Sequence, residues 1–409
     1  MIRHACLFVA SLLLTLSGTG CVIHPPAVST QAFSESPYRP LDTLKDGTIL
    51  HLPTGIEVTE EQMFNVLSGA RVVYVGETHT NLKDHQVELE VLKGLSERFP
   101  GQVAVGMEMF QRPSQKQLDR WSRGELDEKA FMEVWLANWD QSYNYYRDIL
   151  LYIRDKKIPL IALNAPEGLV RTVMEKGTEG MPENLKNELP DMDRTDPYHR
   201  SSLEAVFGAH AHGKEGFERF YQTMLIWDET MAQTVASYLS GSEGKTKKMV
   251  VFTGGFHVNY GFGVPRRVFR RLPEPYAIVM PHTAEIPENR RELMMDIQPV
   301  SIPLYLADFV WAVSYEDLED QIVHLGVQIE ETEKGVGVRK VMPNSIASRI
   351  GIREGDIIVS FDGQSIARPF DLTHLMSLKQ AGDRAALRIL RGDQTINLEA
   401  KFESDPKIQ

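Results

Sequence analysis

Arg71-Val72-Val73-Tyr74-Val75-Gly76-Glu77-Thr78-His79 decides the fold of this chain. Val72 to Val75 favour β structure and read as a short buried strand. Gly76 breaks the run, and the polar groups Glu77 and His79 follow at once. Burying such groups without partners costs about 2–7 kcal/mol each, so they face either solvent or one another across a site. The arrangement recurs downstream, where Met249-Val250-Val251-Phe252-Thr253 is closed by Gly254-Gly255-Phe256-His257. Both copies are Gly-x-x-His directly after a strand. Between them, Val103–Met107 runs into Glu108 and Pro159–Leu163 into Asn164. In a parallel α/β sheet, ligands bind outside the carboxyl ends of the strands. The four runs therefore predict one rim carrying Glu77, His79, Glu108, Asn164 and His257. Carboxylates and imidazoles together suit a divalent metal ion with an open position for water. Glu77, His79, Glu108 and His257 are the candidate ligands, and Glu77 or Glu108 the candidate catalytic proton acceptor. Each group can also cap a helix or satisfy a loop, and Asn164, in Asn-Ala-Pro, doubles as an ordinary loop start.

The rest of the chain frames that rim. Its 409 residues suggest two or more domains, and 42% apolar with 24% charged residues is a globular composition. A formal net charge of -12 argues against a nucleic-acid partner. Arg3 and His4 followed by the apolar run Ala5–Leu16 read as a signal peptide over residues 1–20. Ser17-Gly18-Thr19-Gly20-Cys21 resembles a bacterial lipobox, which makes Cys21 the lipidation site; ordinary secretion is the alternative. Acylation of Cys21 would leave the mature chain without a thiol, because the second cysteine, Cys6, lies in the signal segment. Residues 21–40, rich in Pro and Ser, read as a tether from the membrane. An α/β domain is expected over 41–315 and a smaller, mostly-β domain over 320–404.

Within the α/β domain, Leu82–Phe99 reads as a helix capped by Asp84, and Gln115–Asn138 as another. Trp135 and Trp139 are expected in the core. Two further stretches follow: the segment Glu204–Phe220 and a helix over Leu225–Leu239. The first contains His210 and His212, flanked by Gly208 and Gly213. The acidic pair Asp228-Glu229 in the second either supports the site or caps the helix. Tyr276–Met280 and Leu306–Val313 complete six strands. In the C-terminal part, Asn344–Ala347 opens a short helix, Asp362-Gly363 is a hairpin turn, Phe370–Leu378 is helical, and a hairpin closes the chain around Arg391-Gly392-Asp393.

Two family resemblances follow. Gly76-Glu77-Thr78-His79, Gly106-Met107-Glu108-Met109-Phe110, Trp227-Asp228-Glu229-Thr230-Met231-Ala232 and Gly254-Gly255-Phe256-His257 together resemble the ChaN family of haem-binding lipoproteins, within the wider Tiki/TraB group. The resemblance covers roughly residues 45–313. It implies a parallel α/β sheet with a helical insertion, and haem binding at the outer membrane, often at a homodimer interface. Tiki relatives are metal-dependent proteases, which assigns the same four positions, Glu77, His79, Glu108 and His257, to metal chemistry. The motifs do not fix a haem ligand; by residue chemistry His210, His212 and Tyr260 are the candidates. Leu325-Gly326-Val327, Pro343–Ala347 and Gly351–Ile358 are similar to bacterial PDZ domains. That implies binding of a partner protein's C-terminal peptide, its carboxylate held by Leu325, Gly326 and Val327. Three functions stay open: a haem binder in iron acquisition, a metal-dependent hydrolase, and a scaffold in which the PDZ module carries the function.

Overall fold

A computed structural model describes residues 40–208, 213–288, 290, 302, 304–318 and 322–403. Cys21, His210 and His212 lie outside the described residues. Eight strands form the first sheet: β1 (Ile49–His51), β2 (Ile56–Val58), β3 (Val72–Glu77), β4 (Val103–Gln111), β5 (Leu160–Asn164), β6 (Lys248–Gly254), β7 (Tyr276–Thr283) and β8 (Phe309–Val313). Their order is β2-β1-β8-β7-β3-β6-β4-β5. The six strands β3 to β8 are mutually parallel. The β1–β2 hairpin joins antiparallel at one edge, making the sheet mixed. Those two strands are three residues each, too short to stand out in the sequence pattern.

The helices are α1 (Glu60–Leu67), α2 (Leu82–Arg98), α3 (Gln115–Ser122), α4 (Glu128–Leu136), α5 (Tyr143–Asp155), α6 (Glu167–Lys176), α7 (Glu183–Lys186), α8 (Pro197–Phe207), α9 (Gly213–Ser240) and α10 (Val264–Arg271). They lie in two layers, because successive strand side chains point to opposite faces. Val73, Val75, Val105, Met107 and Phe252 pack with Val87, Val91 and Ile149 of α2 and α5. Val72, Tyr74, Ala104 and Val251 pack with Met231, Val235 and Val268 of α9 and α10.

Three helix readings change. Asn81, not Asp84, caps α2, its side chain accepting from Lys83 N. The span Gln115–Asn138 is two helices, since Gly124 takes φ +73° between α3 and α4, a left-handed conformation that suits glycine. The helix read over Leu225–Leu239 extends over Gly213–Ser240 as the 28-residue α9, and α8 precedes it. Among the described residues no helix is long and apolar enough to cross a membrane.

The second sheet holds β9 (Val327–Thr332), β10 (Gly335–Val341), β11 (Ile357–Phe361), β12 (Gln364–Ser365), β13 (Arg384–Arg391) and β14 (Gln394–Lys401), with helices α11 (Ile346–Arg349) and α12 (Pro369–Ser377). All its pairings are antiparallel. Its order, β14-β13-β11-β10-β9, leaves one edge of β9 unpaired among the described residues. Asp362 and Gly363 take φ +47° and +77°, as the hairpin turn requires. Ser345 caps α11. The α/β sheet with helical insertions, followed by a small mostly-β domain, is the fold class expected from the sequence.

Candidate functional site

β3, β6 and β4 are consecutive in the sheet although they are distant in sequence, because β6 inserts between the two. Glu77 pairs in register with Gly254, and Met107 with Phe252. Three strand ends thus bring Glu77, His79, Glu108 and His257 together. Gly254 lies close against both groups: a Cβ there would sit 3.1 Å from His79 Nε2, a tight contact, and 3.7 Å from Glu108 Oε2.

Each rim imidazole is turned by a buried carboxylate. His79 Nδ1 donates to Glu77 Oε1 at 2.7 Å, and Tyr146 OH donates to the same oxygen at 2.7 Å. His257 Nδ1 donates to Asp228 Oδ1 at 2.7 Å, and its Nε2 faces Glu108 Oε1 at 3.4 Å. Glu108 Oε2 accepts from Gly254 N at 2.7 Å and from Thr253 Oγ1. Both imidazoles therefore present Nε2 on the Glu108 side with Nδ1 committed elsewhere. This is how carboxylate partners orient metal-binding histidines. His79, His257 and Glu108 suit two-imidazole, one-carboxylate coordination. Glu77 is engaged differently: its side chain is fully buried and faces His79, Tyr146 and His85. Its geometry is that of an orienting partner for His79 rather than a ligand.

Behind the rim is a second buried group. His85 Nδ1 lies 2.8 Å from Glu77 Oε2 and 2.9 Å from Glu88 Oε2, while its Nε2 donates to the His79 carbonyl at 3.2 Å. Burial disfavours a charged His85, but Glu77 and Glu88 outweigh it and hold the imidazole well above its ordinary value. Burial and the Glu77 charge push the Glu88 carboxyl up. Glu77, His85 and Glu88 are spaced closely enough to hold a metal ion. Both His85 nitrogens are engaged, Nδ1 with Glu88 and Nε2 with the His79 carbonyl, while Glu77 Oε2 and Glu88 Oε1 have no hydrogen-bond partner among the described residues.

Charge balance sets the rim. Burial works against the Glu108 carboxylate, and the His257 charge and hydrogen bond overcome it, lowering it to about 2. Burial pulls the His257 imidazole down; the Glu108 charge and the Asp228 hydrogen bond overcome that and raise it to about 10. Asp228 is held well below the usual carboxylate range against its burial by hydrogen bonds from His199 and His257. His199 Nε2 is 3.2 Å from Asp228 Oδ2, and its Nδ1 accepts from Arg267 Nη2 at 3.2 Å. The neighbouring Glu229 instead binds Arg267, Arg270 and Arg271. Both acids sit in the middle of α9, so neither caps it.

Asn164 is in place on β5, but its Oδ1 accepts from Ala165 N at 2.8 Å, the loop-start role. Trp135 is core, and Trp139 packs partly buried against the same core while setting its ring edge-on to His79, with centroids 5.1 Å apart. Tyr260 follows His257 on the same rim, half-buried, at φ +57°. Its ring stacks on Phe262 at 5.6 Å, and Phe262 stacks on exposed Tyr198 at 6.0 Å. Sequence reasoning passed over Tyr146, His85, Glu88, His199 and Tyr198. The signal available for two of them was polar residues on the buried face of α2, where Asp84, His85 and Glu88 interrupt the stripe of Val87, Val91 and Leu95.

In the second domain, Gly326 takes φ +81°, and a Cβ there would lie 2.2 Å from Ser345 Cβ. Leu325 O accepts from Ala347 N at 2.8 Å and Gly326 O from Met342 N at 2.9 Å, which fixes the loop leading into β9.

Comparison with known proteins gives this geometry a family. The family model described as haem-binding uptake, Tiki superfamily, ChaN matches residues 63–268, and a PDZ domain model matches 323–402. The chain is 26% identical over 289 residues to the chloroplastic protein RETICULATA-RELATED 5 of Arabidopsis thaliana, covering 65% of this chain and 37% of that protein. It is 34% identical over 82 residues to a probable periplasmic serine endoprotease DegP-like of a Marinomonas species, covering 19% and 17%. The chain thus spans well under two thirds of either relative. A solved structure of ChaN of Campylobacter jejuni, described as showing cofacial haem binding, shares the fold at TM-score 0.50 and 16% identity, covering 65% of this chain and 96% of that one. With half of its length matched by the first model and the strand-end motifs inside that match, the chain belongs to the ChaN haem-binding uptake family of the Tiki superfamily, and carries a C-terminal PDZ domain.

Proposed function

We propose that this protein is a membrane-anchored haem-binding lipoprotein of iron or haem acquisition, whose PDZ domain docks the free C-terminus of a partner. Family membership carries the reading. The rim aromatics fit the group: haem iron accepts a tyrosine, and the macrocycle needs an apolar wall. Tyr260 would hold the iron, with exposed Tyr198 against the ring and buried Phe262 stacked between the two tyrosines. A homodimer closing over the haem belongs to the same proposal. Protein mixed with excess hemin and passed through gel filtration should elute with haem; haem-free elution overturns the reading.

Anchoring is assigned to Cys21, and Val22 stands where an inner-membrane retention aspartate would be, which points to the outer membrane. Cys21→Ser should move the protein from the membrane pellet to the soluble fraction of fractionated cells; retention in the pellet contradicts it. For the PDZ domain, the unpaired edge of β9 beside the Leu325-Gly326-Val327 loop supports strand addition by a peptide. Peptides with a free apolar C-terminus should bind at least about tenfold more tightly than their amides in fluorescence anisotropy, since a charge-assisted anchor contributes roughly 1.5–3 kcal/mol. Equal binding sinks that assignment.

A second reading is supported by the orientation of His79 and His257 toward Glu108: a divalent metal at the rim, and metal-dependent hydrolysis. When bound, the metal would polarise a carbonyl or activate water. His79, His257 and Glu108 would hold it, and Glu77 and Asp228 would fix the two imidazoles.

A further inference from the structure

The first turn of α5 is tied at three consecutive residues to three different parts of the chain. Asn144 Nδ2 donates to the carbonyl of Ser377, the last residue of α12, at 2.7 Å. Tyr145 OH donates to Asp317 Oδ1, in the connection between the two domains, at 2.7 Å. Tyr146 OH donates to Glu77 Oε1 at the rim, also at 2.7 Å. The other end of α12 is held by α4. Arg368 pairs with Glu133 at 2.6 Å, Lys129 with Asp371 at 2.7 Å, and buried His374 touches Met132 Sδ at 3.3 Å. The loop leaving α4 carries Trp139 to the face of His79.

α12 shares a core with β9, its Leu372 and Leu375 clustering with Val327 and Ile329. A peptide added to the free edge of β9 must seat its alternate side chains beside α12. Any adjustment of α12 therefore pulls on the two helices that position Glu77 and His79. Packed helices shift between discrete arrangements rather than deforming smoothly. We infer that occupancy of the PDZ groove is linked to the strand-end rim through α12 and the first turn of α5, so that each ligand alters the affinity for the other. The inference rests on reading the C-terminal domain as a peptide binder and the rim as a divalent-metal site.

The test uses the full chain, a fluorescein-labelled heptapeptide ending in a free valine, and Mn2+ as the rim probe. Saturating Mn2+ should change the peptide Kd by about fivefold or more, and saturating peptide should change the Mn2+ Kd by the same factor, since linkage is reciprocal. Peptide alone should also change amide hydrogen exchange at Tyr143–Tyr146, an arm that needs no metal. Asn144→Ala, which touches neither ligand, should keep both separate affinities while weakening the linkage and the exchange change, since the contacts of α12 with α4 remain. Peptide binding with unaltered exchange at Tyr143–Tyr146, or two affinities independent within about twofold, overturns the linkage while leaving the peptide-binding reading intact. Absence of peptide binding overturns both.

Discussion

Asp228→Ala should destabilise the protein by about 3–5 kcal/mol, the cost of breaking a buried ion pair by removing one partner. Asp228 is fully buried on α9 and stands between His257 and His199. Without it, a His257 imidazolium faces only Glu108, and His199 Nε2 faces nothing charged. Asp228→Asn keeps the shape but removes the charge, so it should cost less while freeing the orientation of His257. Urea denaturation of the three proteins checks both statements. A loss below about 1 kcal/mol in the alanine variant would mean that Asp228 does not hold the rim.

Divalent metal affinity should collapse in His79→Ala and His257→Ala with the fold retained. Glu77→Gln, which loosens the orientation of His79 without removing a ligand, should cost about 10–100-fold. Near-unchanged affinity in His257→Ala would refute the rim as a metal site. The pH dependence has a definite sign. With His257 raised to about 10, a metal ion must expel its proton at neutral pH. The His79 imidazole is raised as well, so affinity should tighten by at least about tenfold per pH unit from neutral toward 10, with at least about one proton released per ion in calorimetry across buffers. The same shifts govern the metal-free fold. The raised His257 contributes stability below its unfolded value, lost as pH rises through about 10. The depressed Glu108 contributes stability above its unfolded value, lost as pH falls toward about 2.

The parallel strands were legible because each is a short apolar run cut off by a polar group, a signal carried within a few residues. Glu77, His79, Glu108 and His257 could be gathered because strand ends share one rim. Orientation was not legible. Whether Glu77 faces the open rim or His79 depends on Tyr146, which arrives from α5 some seventy positions on. The pairing of His257 with Asp228 depends on how α9 crosses the sheet. Trp139 packs against the core, as its size and hydrophobicity indicate, but its contact with His79 depends on the α4–α5 turn and was not legible. The β1–β2 edge was missed because three-residue strands carry too little periodicity.

Hemin titration followed at the Soret band tests the central claim most directly. The wild-type protein should give a saturable, shifted band at micromolar hemin. His79→Ala and His257→Ala should keep that band, whereas Tyr260→Phe should shift or weaken it, because its hydroxyl is the proposed iron ligand. The absence of any saturable spectral change in the wild-type protein would contradict the haem-binding account.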